Sequence, residues 1–483
     1  MKQKDFIFNI ILLIFLNLLI KPFWILGVDV GVQNRVGAED YGLYFAVFNF
    51  TYLFNMLLDM GITNFNNRNI ARHQQLLHKH LSGIITLKLL LGVVYMAVLF
   101  AVALIIGYRG IQLWFLFWMA INQFLNAFIL YLRSNISALL MFKTDSCLSV
   151  MDRLLMIVFC GILLWGGVTD EPFRIEWFIY CQTLAYTLTA LTALAIVVSK
   201  GRVTRLNWNP TFFLMILKKS LPFAILFLLM SFYNRIDSVM LERMLPEGVG
   251  ASEAGIYASA FRLLDALVMI AYLFSVILLP LFSKMLKNKE NITPIVKSSF
   301  SLLFLFSVTS VVLLECYRMP VMDLLYQEHV AESAAVFRFL IAGIIPISFT
   351  YIFGTMLTAN GNMKLLNITA IAGIAVNLAV NLLLIPRLQA VGAAVASLST
   401  QSVVAVLQVT IAFRLLKVPV RALPILPSII FTVVLVPAVW FFSHHFNGHV
   451  LWALLICGGF ALVLGFATRL LNLDFVKLSK NNI

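Results

Sequence analysis

Residues 81–107 read LSGIITLKLLLGVVYMAVLFAVALIIG, with Lys88 as the one charged side chain in the run. As a helix rising about 1.5 Å per residue, the run covers roughly 40 Å, enough to cross the ~30 Å hydrocarbon core of a bilayer. A spanning β-strand would need only about ten residues alternating apolar with polar. The run is therefore read as a transmembrane helix.

Comparable runs recur along the whole chain. Expected spans are 6–26, 41–60, 81–107, 111–132, 147–168, 175–198 and 212–234, then 254–281, 295–317, 334–359, 365–386, 391–416, 423–442 and 450–470. Composition agrees: 61% of the 483 residues are hydrophobic, only 12% are charged, and the mean hydropathy is +0.96. A soluble domain carries about a quarter charged residues. The expected fold class is an all-α integral membrane protein of about 14 transmembrane helices. The first span is kept as a helix and not as a cleaved signal peptide, because no small-residue cleavage site follows it and Lys21-Pro22 interrupts it.

A net charge of +14 raises the possibility of a nucleic-acid partner, but the cations are distributed by loop, not by patch. With the N-terminus inside, 24 of the 35 basic residues fall in cytoplasmic segments and seven outside (Arg35, Arg109, Arg174, Arg243, Arg318, Arg338, Arg387). Both termini are therefore expected in the cytoplasm of a multi-pass protein of the inner membrane, and nucleic acid is not an expected partner. That count places Lys88, Lys218 and Lys219, near the inner ends of their spans, with the cytoplasmic cations; the remaining four, Lys21, Arg153, Arg235 and Arg262, lie within or at the edge of spans.

Cys147, Cys160, Cys181, Cys316 and Cys457 show no paired ligand spacing, and the histidines sit in loops at 73–80 and 444–449. No metal site, disulfide framework or cofactor is expected. Nor does any nucleophile and base cluster or phosphate-binding loop stand out. The glycine-rich stretch 248–255 follows a membrane helix and is expected to face outward. The chain is not expected to be an enzyme.

The two halves resemble one another. Asp40-Tyr41-Gly42-Leu43-Tyr44 parallels Ala254-Gly255-Ile256-Tyr257, with Gly42 and Gly255 213 positions apart and Lys21 falling near Arg235 at almost the same offset. Each repeat holds six helices, so the pseudo-two-fold should run along the membrane normal. The expected division is an N-terminal six-helix bundle over 1–200, a C-terminal six-helix bundle over 201–420, and two appended helices over 421–483. Gly42 and Gly255 individually are read as turns needing positive φ.

Several segments, in order, carry a resemblance. Arg35-Val36-Gly37-Ala38-Glu39-Asp40-Tyr41-Gly42, Ser220-Leu221-Pro222-Phe223, Arg235-Ile236-Asp237, Ala359-Asn360-Gly361-Asn362 and Leu384-Ile385-Pro386 before Val391-Gly392-Ala393-Ala394 resemble the polysaccharide-transport (Wzx-type, O-antigen flippase) branch of the MOP exporter superfamily. Gln389 departs from it, since a glycine is common there. The resemblance implies two six-helix bundles around a central cavity, alternating access, and transport of an undecaprenyl-pyrophosphate-linked oligosaccharide.

Independently of that likeness, intramembrane charge is costly, about 2.5–3.5 kcal/mol at mid-membrane, and points to use. Lys21, Arg235 and Arg262 are candidate cavity cations for a lipid pyrophosphate. Arg153 is expected to pair with Asp152, Arg262 to have Asp265 on the same helical face, and Lys21 to be able to snorkel. Asn122, Asn126, Asn377, Asn381, Gln182 and Gln401 could contact sugar hydroxyls or bond between helices. Asp237 is a candidate coupling site for H+ or Na+. The expected partners are the bilayer and the lipid-linked substrate, and a monomer is expected. Two rival functions remain: a multidrug cation antiporter of the same superfamily, which should have a carboxylate-rich cavity, and a membrane polysaccharide polymerase or ligase, which should have a larger external loop.

Overall fold

The structure, a computed structural model, describes residues 16–471 apart from 18, 21, 64–65, 67–69, 71–75, 140, 169, 202–206, 417–422 and 446–448. Among the described residues all regular structure is helical, with no strand. A π-helical turn (Trp24–Asp29) leads into α1 (Val30–Leu53). There follow α2 (Leu76–Ile105), α3 (Ile111–Ala138), α4 (Phe142–Trp165), α5 (Ile175–Gly201), α6 (Pro210–Met244) and α7 (Val249–Lys287). The chain continues through α8 (Thr293–Cys316), a short helix Arg318–Leu325, α9 (Val330–Ala359, with a π-helical turn at Thr350–Gly354), α10 (Met363–Leu416), α11 (Ile425–His445) and α12 (Val450–Ala467).

Eleven of the described helices are long and apolar enough to cross a membrane. One of them, α10, has 54 residues, so a straight rod would reach about 80 Å. It breaks instead at Gln389, whose φ of 50° and ψ of −128° leave the helical region three residues beyond Pro386, which has already weakened the ladder. Likewise α1 turns at Gly37, with φ 83° and ψ 170°. Dividing α10 into two, and α1 into the end of the first helix and the body of the second, yields fourteen segments among the described residues, apart from the short helices Met56–Asp59 and Arg318–Leu325. The first helix thus runs to Gly37 rather than to 26, and places Asp29, expected in an outer loop, at a buried helical position.

Local signals explain the ends. Asn209 caps α6 by accepting the Phe212 N–H at 3.1 Å, with Pro210 at the first helical position. Asn360-Gly361-Asn362 turns the chain from α9 into α10, Gly361 taking φ 82°.

Two compact units divide the chain, Met1–Gly255 and Ile256–Ile483. In the first, α1 packs on α6, and α5 on α3 and α4; in the second, α9 packs on α10 and α8 on α11. Large apolar side chains such as Ile105, Leu383, Val433 and Val463 are exposed, as suits helices whose solvent is lipid.

Gly42 and Gly255 are not turns. Neither has positive φ. Both lie in helices, and a Cβ on Gly42 would collide with the Ala251 carbonyl, while one on Gly255 would collide with the carbonyl of Ala38. The repeat-related glycines therefore allow the first turns of α7 to cross α1 backbone to backbone, and Gln33 Nε2 donates to the Gly255 carbonyl at 3.0 Å across that crossing.

Candidate functional site

Among the polar groups inside the N-terminal unit, two seams hold residues expected to bind substrate. The first lies between α1 and α6. Ser231, Arg235, Ser238 and Glu242 follow one another at i, i+4, i+7 and i+11, the repeat of a single helical face. That face meets α1: Asn49 Nδ2 donates to Ser238 Oγ at 2.9 Å, and the Arg235 guanidinium carbon stands 5.2 Å over the Tyr52 ring. Arg235 is half-buried, and Asp237 beside it is buried. At the end of this face Glu242, expected in an external loop, is buried; Gln112 Nε2 donates to it at 2.7 Å and Arg243 pairs with it. Arg243 in turn stands 4.6 Å over the ring of Tyr108, in the loop before α3. Burial, and then the Glu242 carboxylate, push the Tyr108 hydroxyl well above its ordinary range, with Arg243 opposing.

The second seam joins α3, α4 and α5. Asn122 Nδ2 donates to Gln182 Oε1 at 3.3 Å, and Gln182 Nε2 to the Tyr186 hydroxyl at 3.5 Å. The Arg153 guanidinium sits over two rings, 5.6 Å from Trp24 and 5.8 Å from Tyr186. Trp24 stacks on Phe178 at 5.8 Å, and Tyr44 meets the same ring edge-on at 5.2 Å, closing an aromatic wall.

The structure brings some of the expected residues together and separates others. Lys21 lies outside the described residues. Arg235, Asp237, Asn122, Asn126 and Gln182 belong to the first compact unit, and Asn126 is half-buried one turn from Asn122. Arg262, half-buried on α7, and Asn377, Asn381 and Gln401, all buried on α10, belong to the second. There Asn381 Nδ2 donates to Asn377 Oδ1 at 3.0 Å, one turn apart.

One interior cation differs from its sequence reading, and a second has contacts beyond the one expected of it. Lys88, counted among cytoplasmic cations, is 1% exposed and donates to the Leu58 carbonyl at 3.0 Å and to Asp59. Arg153 is within ion-pair range of Asp152, as expected, with Nε 3.6 Å from Oδ2, but beyond hydrogen-bond distance, because successive residues on a helix diverge by about 100°. The overlooked signal was its register, seven residues from both Ser146 and Cys160, which are buried. Among the described residues, no group of three His, Cys, Asp or Glu side chains is placed to hold a metal ion.

Residues 7–286, more than half of the chain, match the family model described as polysaccharide biosynthesis protein. The chain belongs to that family. Its fold is that of the MOP superfamily. The structure of lipid II flippase MurJ in an inward closed conformation is similar over 96% of this chain and 98% of that one, with a TM-score of 0.73 at 13% identity. An inward-facing multidrug resistance MATE family transporter covers 81% of this chain and 94% of its own, with TM-score 0.63 and 14% identity. A MOP superfamily transporter from Pyrococcus furiosus, described by a binding pocket of reverse polarity, covers 85% and 94%, with TM-score 0.59 and 13% identity. No curated protein matches the sequence. This member of the polysaccharide biosynthesis family is thus a multi-pass membrane protein with a transporter fold.

Proposed function

We propose that the chain is a flippase that carries an undecaprenyl-pyrophosphate-linked oligosaccharide, a unit of O-antigen, capsule or another surface polysaccharide, across the bacterial cytoplasmic membrane by alternating access. Membership of the polysaccharide biosynthesis family supports this reading. The observation that carries it is Arg235, a guanidinium kept half-buried on a polar helical face inside an apolar unit, where a phosphorylated headgroup would bind more strongly than in water. Lys21 and Arg262 are the further substrate cations of this reading. Asn122, Asn126, Asn377, Asn381, Gln182 and Gln401 are its sugar contacts, and Asp237 is the site through which H+ or Na+ drives the cycle. In this reading both termini lie in the cytoplasm, the chain acts as a monomer, and the bundles run over 1–200 and 201–420 with two helices over 421–483 appended.

The test is complementation of a strain lacking the gene, scored by surface glycan. Arg235→Ala should abolish export at normal membrane abundance, and Arg235→Lys should retain part of it. Full export by Arg235→Ala would remove the cation assignment. The likeness to MATE family structures favours a second reading, a multidrug cation antiporter. Competition separates the two: an anionic prenyl pyrophosphate should protect the purified chain against thermal unfolding where a lipophilic cation does not, and the reverse result would favour the antiporter.

A further inference from the structure

Arg153 carries an observation that the reading above leaves unused. Four other cations in the described residues hold a carboxylate at hydrogen-bond distance: Lys88 on Asp59, Arg133 on Asp145 at 2.8 Å, Arg243 on Glu242, and Arg338 on Glu315 at 3.1 Å. Arg153 does not. Its Asp152 carboxylate stays at 3.6 Å, and Nη1 meets the Met156 sulfur at 3.8 Å, while the flat guanidinium lies against Trp24 and Tyr186. An arginine presents five N–H donors in a fixed fork, and charge-assisted bonds to oxyanions form at about 2.7–2.9 Å. The Asp152 ion pair, the Met156 sulfur and a hydrogen bond with the Tyr186 side chain take part of that capacity, and 26% of the side chain remains exposed.

The exposed part does not look into lipid. The lipid-facing stripe of α4 is Leu154, Val158, Ile162 and Trp165, all large, apolar and exposed. Arg153 lies on the opposite side of that stripe's edge, within about 20° of Ser146 and Cys160, which are buried. A second observation lies along the same seam. Asn122 is 4% exposed and its Oδ1 finds no hydrogen-bond partner among the described residues. A buried acceptor left unmet costs about 1–3 kcal/mol unless a ligand donates to it. The amide chain Asn122, Gln182, Tyr186 links that acceptor to the ring on which Arg153 lies.

We infer that Arg153, backed by Trp24 and Tyr186, and the open Asn122 carbonyl form a recognition site within the N-terminal unit for a sugar phosphate, the arginine taking the phosphate oxygens and the amide a sugar hydroxyl. The inference rests on the flippase reading for its ligand, the glycosylated headgroup of the lipid-linked substrate. Arginine suits this place better than lysine, because its plane can stay on the aromatic faces while its edge turns to the oxyanion.

The test uses the full chain in detergent and a short lipid-linked probe, farnesyl-diphospho-N-acetylglucosamine, with farnesyl diphosphate and farnesol as the arms that remove first the sugar and then the phosphates. Binding is read by intrinsic tryptophan fluorescence. The parent protein should bind the glycosylated probe about tenfold tighter than farnesol, and Arg153→Gln should lose about that factor. Arg153→Lys should recover part of it, and Arg133→Gln, which touches only the Asp145 pair, should bind as the parent does. Asn122→Ala should weaken the glycosylated probe and leave farnesyl diphosphate unchanged. Parent-like affinity in Arg153→Gln, or equal binding of farnesol and the glycosylated probe, overturns the site. Equal binding of the two diphosphates overturns its saccharide half. Glycan export separates this from the broader reading: unchanged export on deleting the gene sinks the flippase assignment, whereas loss on deletion with full rescue by a parent-like Arg153→Gln sinks only the site.

Discussion

Lys88 and Arg153 are both cations inside the same unit, and they differ in every respect except charge. Lys88 is sealed, with a carbonyl and a carboxylate on its ammonium and the Tyr131 ring 5.7 Å away. Arg153 is held by aromatic faces with its carboxylate out of hydrogen-bond reach and part of its surface open. The first arrangement is a structural clamp between α2 and the turn after α1. The second is a charge held in readiness. In a membrane interior the location of a charge therefore says less about its role than how completely its donors are already spent.

Mutation breaks or sharpens that contrast. The largest stability loss is expected for Lys88→Ala, which strands the Asp59 carboxylate and the Leu58 carbonyl. A cost of about 3–5 kcal/mol, read as a lower melting temperature and reduced membrane abundance, is expected, with partial recovery in the Lys88→Met, Asp59→Asn double variant. Next comes Gly255→Val, since no side chain fits against the Ala38 carbonyl; about 1–3 kcal/mol is lost unless the helices separate. Gln389→Gly should go the other way, stabilising by up to about 1 kcal/mol, because a side chain at φ 50° and ψ −128° is strained where glycine is not. At the bottom of the stability scale stand Arg153→Gln and Arg235→Ala, which should melt almost as the parent does. If Arg153→Gln instead unfolded the protein as severely as Lys88→Ala, the distinction between clamp and ready charge would collapse.

Helices were the legible part of this chain. Expected spans such as 111–132, 175–198 and 450–470 coincide with α3, α5 and α12 to within a few residues, because in a bilayer the length of an apolar run and the need to close every backbone hydrogen bond leave little choice. The break in α10 fell between the expected spans 365–386 and 391–416, at the residue where a glycine is common in the resembled family. Side-chain roles were less legible. Lys88 looked like one more cytoplasmic cation, since its partner Asp59 lies about thirty positions away and only tertiary packing joins them. Arg153 and Asp152 read as a pair and do stand 3.6 Å apart, but the rings of Trp24 and Tyr186 on which the guanidinium lies come from distant positions that only tertiary packing brings there. Gly42 and Gly255 looked like turns, because a glycine gives no hint of whether backbone torsion or the approach of another backbone requires it. The boundary of the first helix was missed for a related reason: Asp29 and Arg35 read as loop residues, yet the helix continues through both to Gly37.

The glycine crossing restricts which sequences this fold accepts. Each of the two similar segments contributes one of the two positions, and each position is kept small by the main chain of the other segment. A larger residue in either copy cannot be absorbed by a compensating change of rotamer or trimming of a neighbour, because what it meets is a carbonyl that every amino acid carries. Neither position admits a side chain unless the backbone of the other segment moves away.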